Sequence, residues 1–210
     1  MSKIRNLFGF FVEQSWLLLV SAFLFGLLIA LASSAWSPRI AENEKAKLDN
    51  LMGELISKAE TFDVAIKDME ITDDRGTKTQ TSVYKALDGS GKTIGFAFVA
   101  AGAGFADEVK LVVAVDAKCE KLFGYKVLKS NETPGFGDKI KDDFFRNQFA
   151  GAPAGKFELV KTGNAKEIDE KIVAISGATV SSTAMVKIFN TYVDKVKEQL
   201  QKKGLTDNGK

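Results

Sequence analysis

The sequence predicts an α+β fold: a single N-terminal transmembrane helix, then one domain with an antiparallel-rich sheet and flanking helices. Three observations carry this. Residues 14–38, QSWLLLVSAFLFGLLIALASSAWSP, hold no charge and are long enough to cross a bilayer as a helix. Residues 81–130 contain two pairs of β-branched and aromatic runs, each pair separated by a short polar turn. Apolar residues at helical spacing close the chain, and strands that precede helices without regular alternation indicate α+β rather than α/β.

Trp16 and Trp36 bracket the apolar segment. At helical rise they lie about 30 Å apart, the thickness of the hydrocarbon layer, which suits two interfacial anchors. A cleaved secretory signal is the competing reading, because Ala30-Leu31-Ala32 resembles a cleavage site. The run extends past the usual apolar core of a signal and ends on Trp36, which favours a retained anchor. Lys3 and Arg5 precede the span, and Arg39, Glu42, Glu44, Lys45 and Lys47 follow it. The positive-inside rule then keeps the N-terminus in the cytoplasm and exports the remainder, to the periplasm in a two-membrane bacterium.

Beyond Pro38, Leu48, Leu51, Met52, Leu55, Ile56 and Ala59 recur at helical spacing, so an amphipathic juxtamembrane helix is expected over 39–65, packed on the domain or on a partner's membrane-proximal surface. TSVYKAL and KTIGFAFVA flank Asp88-Gly89-Ser90-Gly91 as a hairpin, and EVKLVVAVD pairs with KLFGYKVLKS. Val109, Leu111, Val113 and Val115 share one strand face. AAGAGF lacks the continuation of a phosphate loop and reads as a strand-end loop. GDKIKDDFFRNQF reads as a helix with Ile140, Phe144, Phe145 and Gln148 on one side. Strands at FELVK and KIVAIS lead to a C-terminal helix whose inner stripe is Met185, Phe189, Tyr192, Val196 and Leu200, and residues 206–210 form a frayed tail.

Composition narrows the chemistry. With 29 basic against 27 acidic residues and no dense basic tract, nucleic acid is not an expected partner. There is no histidine and one cysteine, so the usual zinc, copper, haem and iron–sulfur ligand sets cannot be assembled from this chain, and Ser-His or Cys-His pairs are absent. A redox role would need an organic cofactor. Cys119 is expected to be structural.

Two segments carry the candidate site. In Ser176-Gly177-Ala178-Thr179-Val180-Ser181-Ser182, Gly177 permits a turn, Ala178 leaves room, and Ser181, Ser182 or Thr183 can cap the helix that follows. A helix N-terminus also receives phosphate, with the Thr179 hydroxyl beside it, although the same ingredients make a plain cap. In NETPGFGDKI, Pro134-Gly135 suits the centre of a type II turn that presents backbone amides and Thr133.

Together, in this order, ETPGFGDKI and SGATVSS resemble the ETPGLG loop and the S/T-G-A-T-x-S/T-S flavinylation motif of the FMN-binding domain in the G subunit of the Rnf electron-transport complex. The C subunit of sodium-translocating NADH:quinone oxidoreductase is related. The resemblance implies FMN esterified through its phosphate to Thr179, donated from FAD by a flavin transferase, with Ser176, Gly177, Ala178 and Ser182 shaping the surroundings. Glu132, Thr133, Pro134 and Gly135 would line the ring side. It further implies an electron-transfer subunit of an inner-membrane complex, partnered by other membrane subunits and without catalysis of its own, so no catalytic or metal-binding residue is expected. The organisation is then an anchor over 1–38, the juxtamembrane helix over 39–65, an FMN-binding domain over 66–205 and the tail. The family motif commonly has an acidic residue three positions before its first Ser/Thr, where this chain has Val173; Phe136 replaces the usual Leu. The alternatives are the C subunit of sodium-translocating NADH:quinone oxidoreductase, or an unflavinylated membrane-anchored assembly module with the same fold, the latter separated by whether flavin becomes attached.

Overall fold

The computed structural model describes the backbone of residues 2–73 and 76–206, with side chains in those ranges from Gln14 onward. It divides into two compact units, Met1–Ala46 and Lys47–Lys210. Helix α1, Ser2–Leu55, runs through Pro38, so the expected anchor and juxtamembrane helices are one element. The helix ends at Leu55 rather than at 65, and residues 61–65 belong to a strand.

In the first unit, Leu17, Leu18, Phe23, Phe25, Leu28 and Ile29 are all exposed, between the exposed rings of Trp16 and Trp36. This stretch is long and apolar enough to cross a membrane.

The second unit is organised by a five-stranded antiparallel meander: β1 (Thr61–Thr72), β2 (Lys78–Leu87), β3 (Thr93–Ala103), β4 (Glu108–Asp116) and β5 (Leu122–Lys129), paired in that order. The two expected hairpins are β2–β3 and β4–β5. At the first, Asp88 Oδ1 accepts from the amides of Ser90 and Lys92 at 2.9 and 3.0 Å, closing the turn. At the second, Asp116 Oδ1 accepts from Glu120 N and Lys121 N at 2.7 and 3.0 Å. β1 was not anticipated. Its register shifts between Val64 and Ile66 and again between Ile66 and Met69, and Asp68 has φ +51°, so its apolar runs Phe62-Val64-Ile66 and Met69-Ile71 do not keep one phase.

Both sheet faces are covered. Val109, Leu111, Val113 and Val115 share a core with helix α3 (Thr179–Lys202), whose Met185, Phe189, Tyr192, Val196 and Leu200 are all buried, as their spacing predicts. Val112 and Ala114, on the opposite face, pack with Met52 and Ile56. The amphipathic stripe of α1 therefore packs on the domain. Phe149 stacks on Phe189 at 4.4 Å and meets Tyr125 edge-on at 5.2 Å.

The helix expected after Gly137 is broken in two. A 3-10 helix, Gly137–Lys141, is followed by the single turn α2, Asp143–Arg146, because Asp142 is extended at φ −75°, ψ 146°. Ile140, Phe145 and Gln148 are buried as expected, but Phe144 is exposed. The Tyr125 hydroxyl donates to Ile140 O at 2.5 Å and ties the 3-10 helix to the sheet. The strands β6 (Glu158–Val160) and β7 (Lys171–Val173) form a separate parallel pair. In the expected tail Thr206 is buried, and 207–210 lie outside the described residues.

Two outcomes follow from the packing. Met52→Ala should destabilise the full chain in detergent by about 2–4 kcal/mol in denaturant unfolding, the cost of a core truncation. Burial, with Asp116 nearby, pushes the Cys119 thiol up to about 12. At pH 8 iodoacetamide should therefore label Cys119 only after unfolding.

Candidate functional site

Two turns of similar design carry the two motifs. In the first, Phe136 N donates to Thr133 O at 3.2 Å across Pro134 and Gly135, and Gly135 has φ +77°. This is the turn expected from Pro-Gly. In the second, Ala178 N donates to Ile175 O at 3.0 Å across Ser176 and Gly177, with Gly177 at φ +79°. A left-handed residue in the third position favours glycine in both.

The second turn delivers the chain into α3 with Ala178 as its N-cap and Thr179 as its first helical residue. Among the described residues, no side-chain cap hydrogen bond forms at this N-cap, contrary to the expectation for Ser181, Ser182 and Thr183. Each hydroxyl is engaged elsewhere. Ser182 Oγ accepts from Ile175 N at 3.0 Å and donates to Ala178 O at 2.9 Å, bracing the turn. Thr183 Oγ1 donates to Thr179 O at 2.8 Å, and Ser181 Oγ donates to Glu132 Oε2. The amides at the positive end of the helix dipole are thereby left to an external acceptor.

Glu132 is the link between the motifs. Its carboxylate is buried, and Oε1 accepts from the amides of Phe105 at 2.8 Å and Ala106 at 3.0 Å while Oε2 takes the Ser181 hydroxyl. One side chain thus joins the β3–β4 loop, the Pro-Gly turn and the start of α3. A buried carboxylate is stable only when donors replace its lost water, and these three do so. The fit is close: a Cβ on Gly137 would lie 2.5 Å from both Glu132 Oε2 and Ser181 Oγ, and one on Gly104 would run into Glu132 Oε1.

Above this tie lies a cleft of about 370 Å³, lined by Phe105, Thr133, Phe136, Gly137, Gly177, Ala178, Thr179, Val180 and Ser181. It is within the size range of small-ligand pockets, about 300–1,000 Å³. Thr179 is exposed at its edge. The sequence-derived residues separate accordingly. Thr133, Gly177, Ala178 and Thr179 line the cleft; Glu132 and Ser182 are buried braces; Ser176, Pro134 and Gly135 are exposed turn residues outside the lining. Phe105, Gly137, Val180 and Ser181 were not anticipated. The glycines around Phe105 were the available signal, but nothing local announces that Glu132 reaches back to that loop.

Val173, at the departure from the motif, is held by its backbone. Gln148, itself buried, accepts from Val173 N at 2.7 Å and donates to Val173 O at 3.3 Å. Fixing β7 in this way positions the turn two residues later.

The chemistry these residues offer is attachment and enclosure: a free hydroxyl at an uncapped helix start, beside an apolar cleft. An FMN group fits that set, with phosphate at the amides and a planar ring among apolar side chains.

Comparison with known proteins also points to FMN. The family model described as FMN-binding domain matches residues 104–194. The G subunit of the ion-translocating oxidoreductase complex of Methanosarcina acetivorans is 30% identical over 148 residues, covering 70% of this chain and 74% of that protein. The G subunit of the proton-translocating ferredoxin:NAD(+) oxidoreductase complex of Clostridium ljungdahlii is 29% identical over 179 residues, 85% of this chain and 88% of that one. Among solved structures, NqrC of Shewanella oneidensis aligns with a TM-score of 0.55 at 25% identity, covering 70% of this chain and 73% of that one. The chain therefore belongs to the FMN-binding domain family, among the G subunits of Rnf-type ion-translocating oxidoreductase complexes.

Proposed function

We propose that this protein is a membrane-anchored electron-transfer subunit of an Rnf-type complex, carrying FMN in ester linkage to Thr179. The observation that carries the reading is the convergence at one cleft of an exposed Thr179 hydroxyl, uncapped helix amides and an apolar lining from two other loops. Bound FMN supplies the redox chemistry, accepting and passing on electrons. The residues of the chain would hold and orient it: the first-turn amides of α3 would receive the phosphate, and the apolar lining of the cleft would enclose the ring.

Attachment balances without redox change. Thr179 Oγ forms a bond to the FMN-side phosphorus of FAD on a flavin transferase, the pyrophosphate bond breaks, AMP leaves, and the hydroxyl proton is released. The chain gains FMN less one water. The apolar stretch of α1 spans the inner membrane with the N-terminus cytoplasmic and the FMN-binding domain periplasmic, next to the other membrane subunits of the complex.

Produced together with a flavin transferase, the chain should carry covalent flavin visible after denaturing electrophoresis. Thr179→Ala should lose that flavin entirely and unfold at the same temperature as the unloaded wild-type chain, since the side chain is exposed. Retained covalent flavin in that variant would overturn the assignment. Gly137→Ala, by forcing Glu132 and Ser181 apart, should cost about 1–3 kcal/mol in stability. Absorbance near 450 nm per chain should fall with it.

A further inference from the structure

The cleft contains a feature that attachment at Thr179 does not account for. Phe105 is 65% exposed and Phe136 55%, whereas Phe145, Phe149 and Phe189 are completely buried. Val180, also 56% exposed, completes an uncovered apolar rim. The backbone beneath both rings is anchored. The Phe105 amide is held by Glu132 at 2.8 Å, and the Phe136 amide closes the Pro-Gly turn on Thr133 O at 3.2 Å. Large rings on anchored backbone, clustered and left to water, mark a surface built to be covered.

The occupant is set by what adjoins the rings. Phe136 packs over Gly177, where an added Cβ would lie 3.3 Å from Cδ1 and 3.6 Å from Cε1, two residues before Thr179. Phe105 reaches the same cleft from the β3–β4 loop. The geometry points to Phe105 and Phe136 as an aromatic clamp on the isoalloxazine ring, so that the ester fixes only the phosphate end and ring packing fixes the redox-active end. This rests on the reading of Thr179 as the FMN acceptor. A planar three-ring system offers two faces and a long edge, and aromatic partners prefer offset-stacked or edge-to-face contacts with such groups. Clamping from two loops also fixes ring orientation, which a single ester bond leaves free to rotate.

The test uses the full chain in detergent, produced with a flavin transferase. Intact mass comes first: absence of the FMN increment defeats the acceptor reading itself, independently of the clamp. On the loaded chain, flavin emission is followed by time-resolved anisotropy and by iodide quenching. Wild-type flavin should depolarise only with overall tumbling and be quenched several-fold less than free FMN. Phe105→Ala and Phe136→Ala should each introduce a nanosecond component and raise quenching toward the free value. Phe136→Leu, which keeps an apolar side chain without a ring, should fall between. Unfolding temperatures of the unloaded variants should match that of the unloaded wild type, because both rings are exposed without the cofactor. Fast depolarisation and free-like quenching in the loaded wild type would overturn the clamp, whatever the variants do; so would loaded variants indistinguishable from wild type.

Discussion

The buried carboxylate of Glu132 is the interaction on which the site depends. Burying it costs solvation that only well-placed donors restore, and its donors come from two segments far apart in sequence: the loop at Phe105 and Ala106, and the start of α3 at Ser181. Satisfying one side chain therefore brings the walls of a cleft together. The requirement extends to neighbours that carry no chemistry. Gly104 and Gly137 stand where any Cβ would collide with the carboxylate.

The fold makes that convergence inexpensive. In the antiparallel meander, Gly102 pairs with Val109 and Lys110 with Lys129, so the loop leaving β3 and the segment leaving β5 emerge at the same end of the sheet. Helix α3 lies against β3, with Ile188 close upon Gly102, and its first turn meets the two loops. The core beneath, centred on Phe149, Phe189 and Tyr125, fixes both the helix and the 3-10 segment through the Tyr125–Ile140 hydrogen bond. Rigid elements hold the loops, and the loops hold the exposed groups.

Much of this was legible in the residues. The β2–β3 and β4–β5 hairpins, the inner stripe of α3, the α1 stripe from Leu48 to Leu55 and the Pro134-Gly135 turn all follow from local patterns that the structure keeps. What escaped was decided by contacts distant in sequence. β1 alternates only in two short runs, Phe62-Val64-Ile66 and Met69-Ile71, which are out of phase across its register shifts, so no single period spans it. The segment after Gly137 has helical spacing, yet Asp142 is extended and Phe144 turns outward. The serines after Ala178 look like caps, but Ser181 serves Glu132 and Ser182 braces the preceding turn. Phe105 had only its neighbouring glycines as a signal, because its place in the cleft depends on a carboxylate 27 residues further on.

The most direct measurement is fragmentation mass spectrometry of the tryptic peptide Ile172–Lys187 from chain produced with a flavin transferase. That peptide contains Ser176, Ser181, Ser182 and Thr183 beside Thr179, so it distinguishes among five hydroxyls. The account predicts FMN less one water on Thr179 alone, since it is the hydroxyl that lines the cleft without serving as a brace. FMN on any of the other four, or an unmodified peptide from a preparation in which a control acceptor was flavinylated, would contradict it.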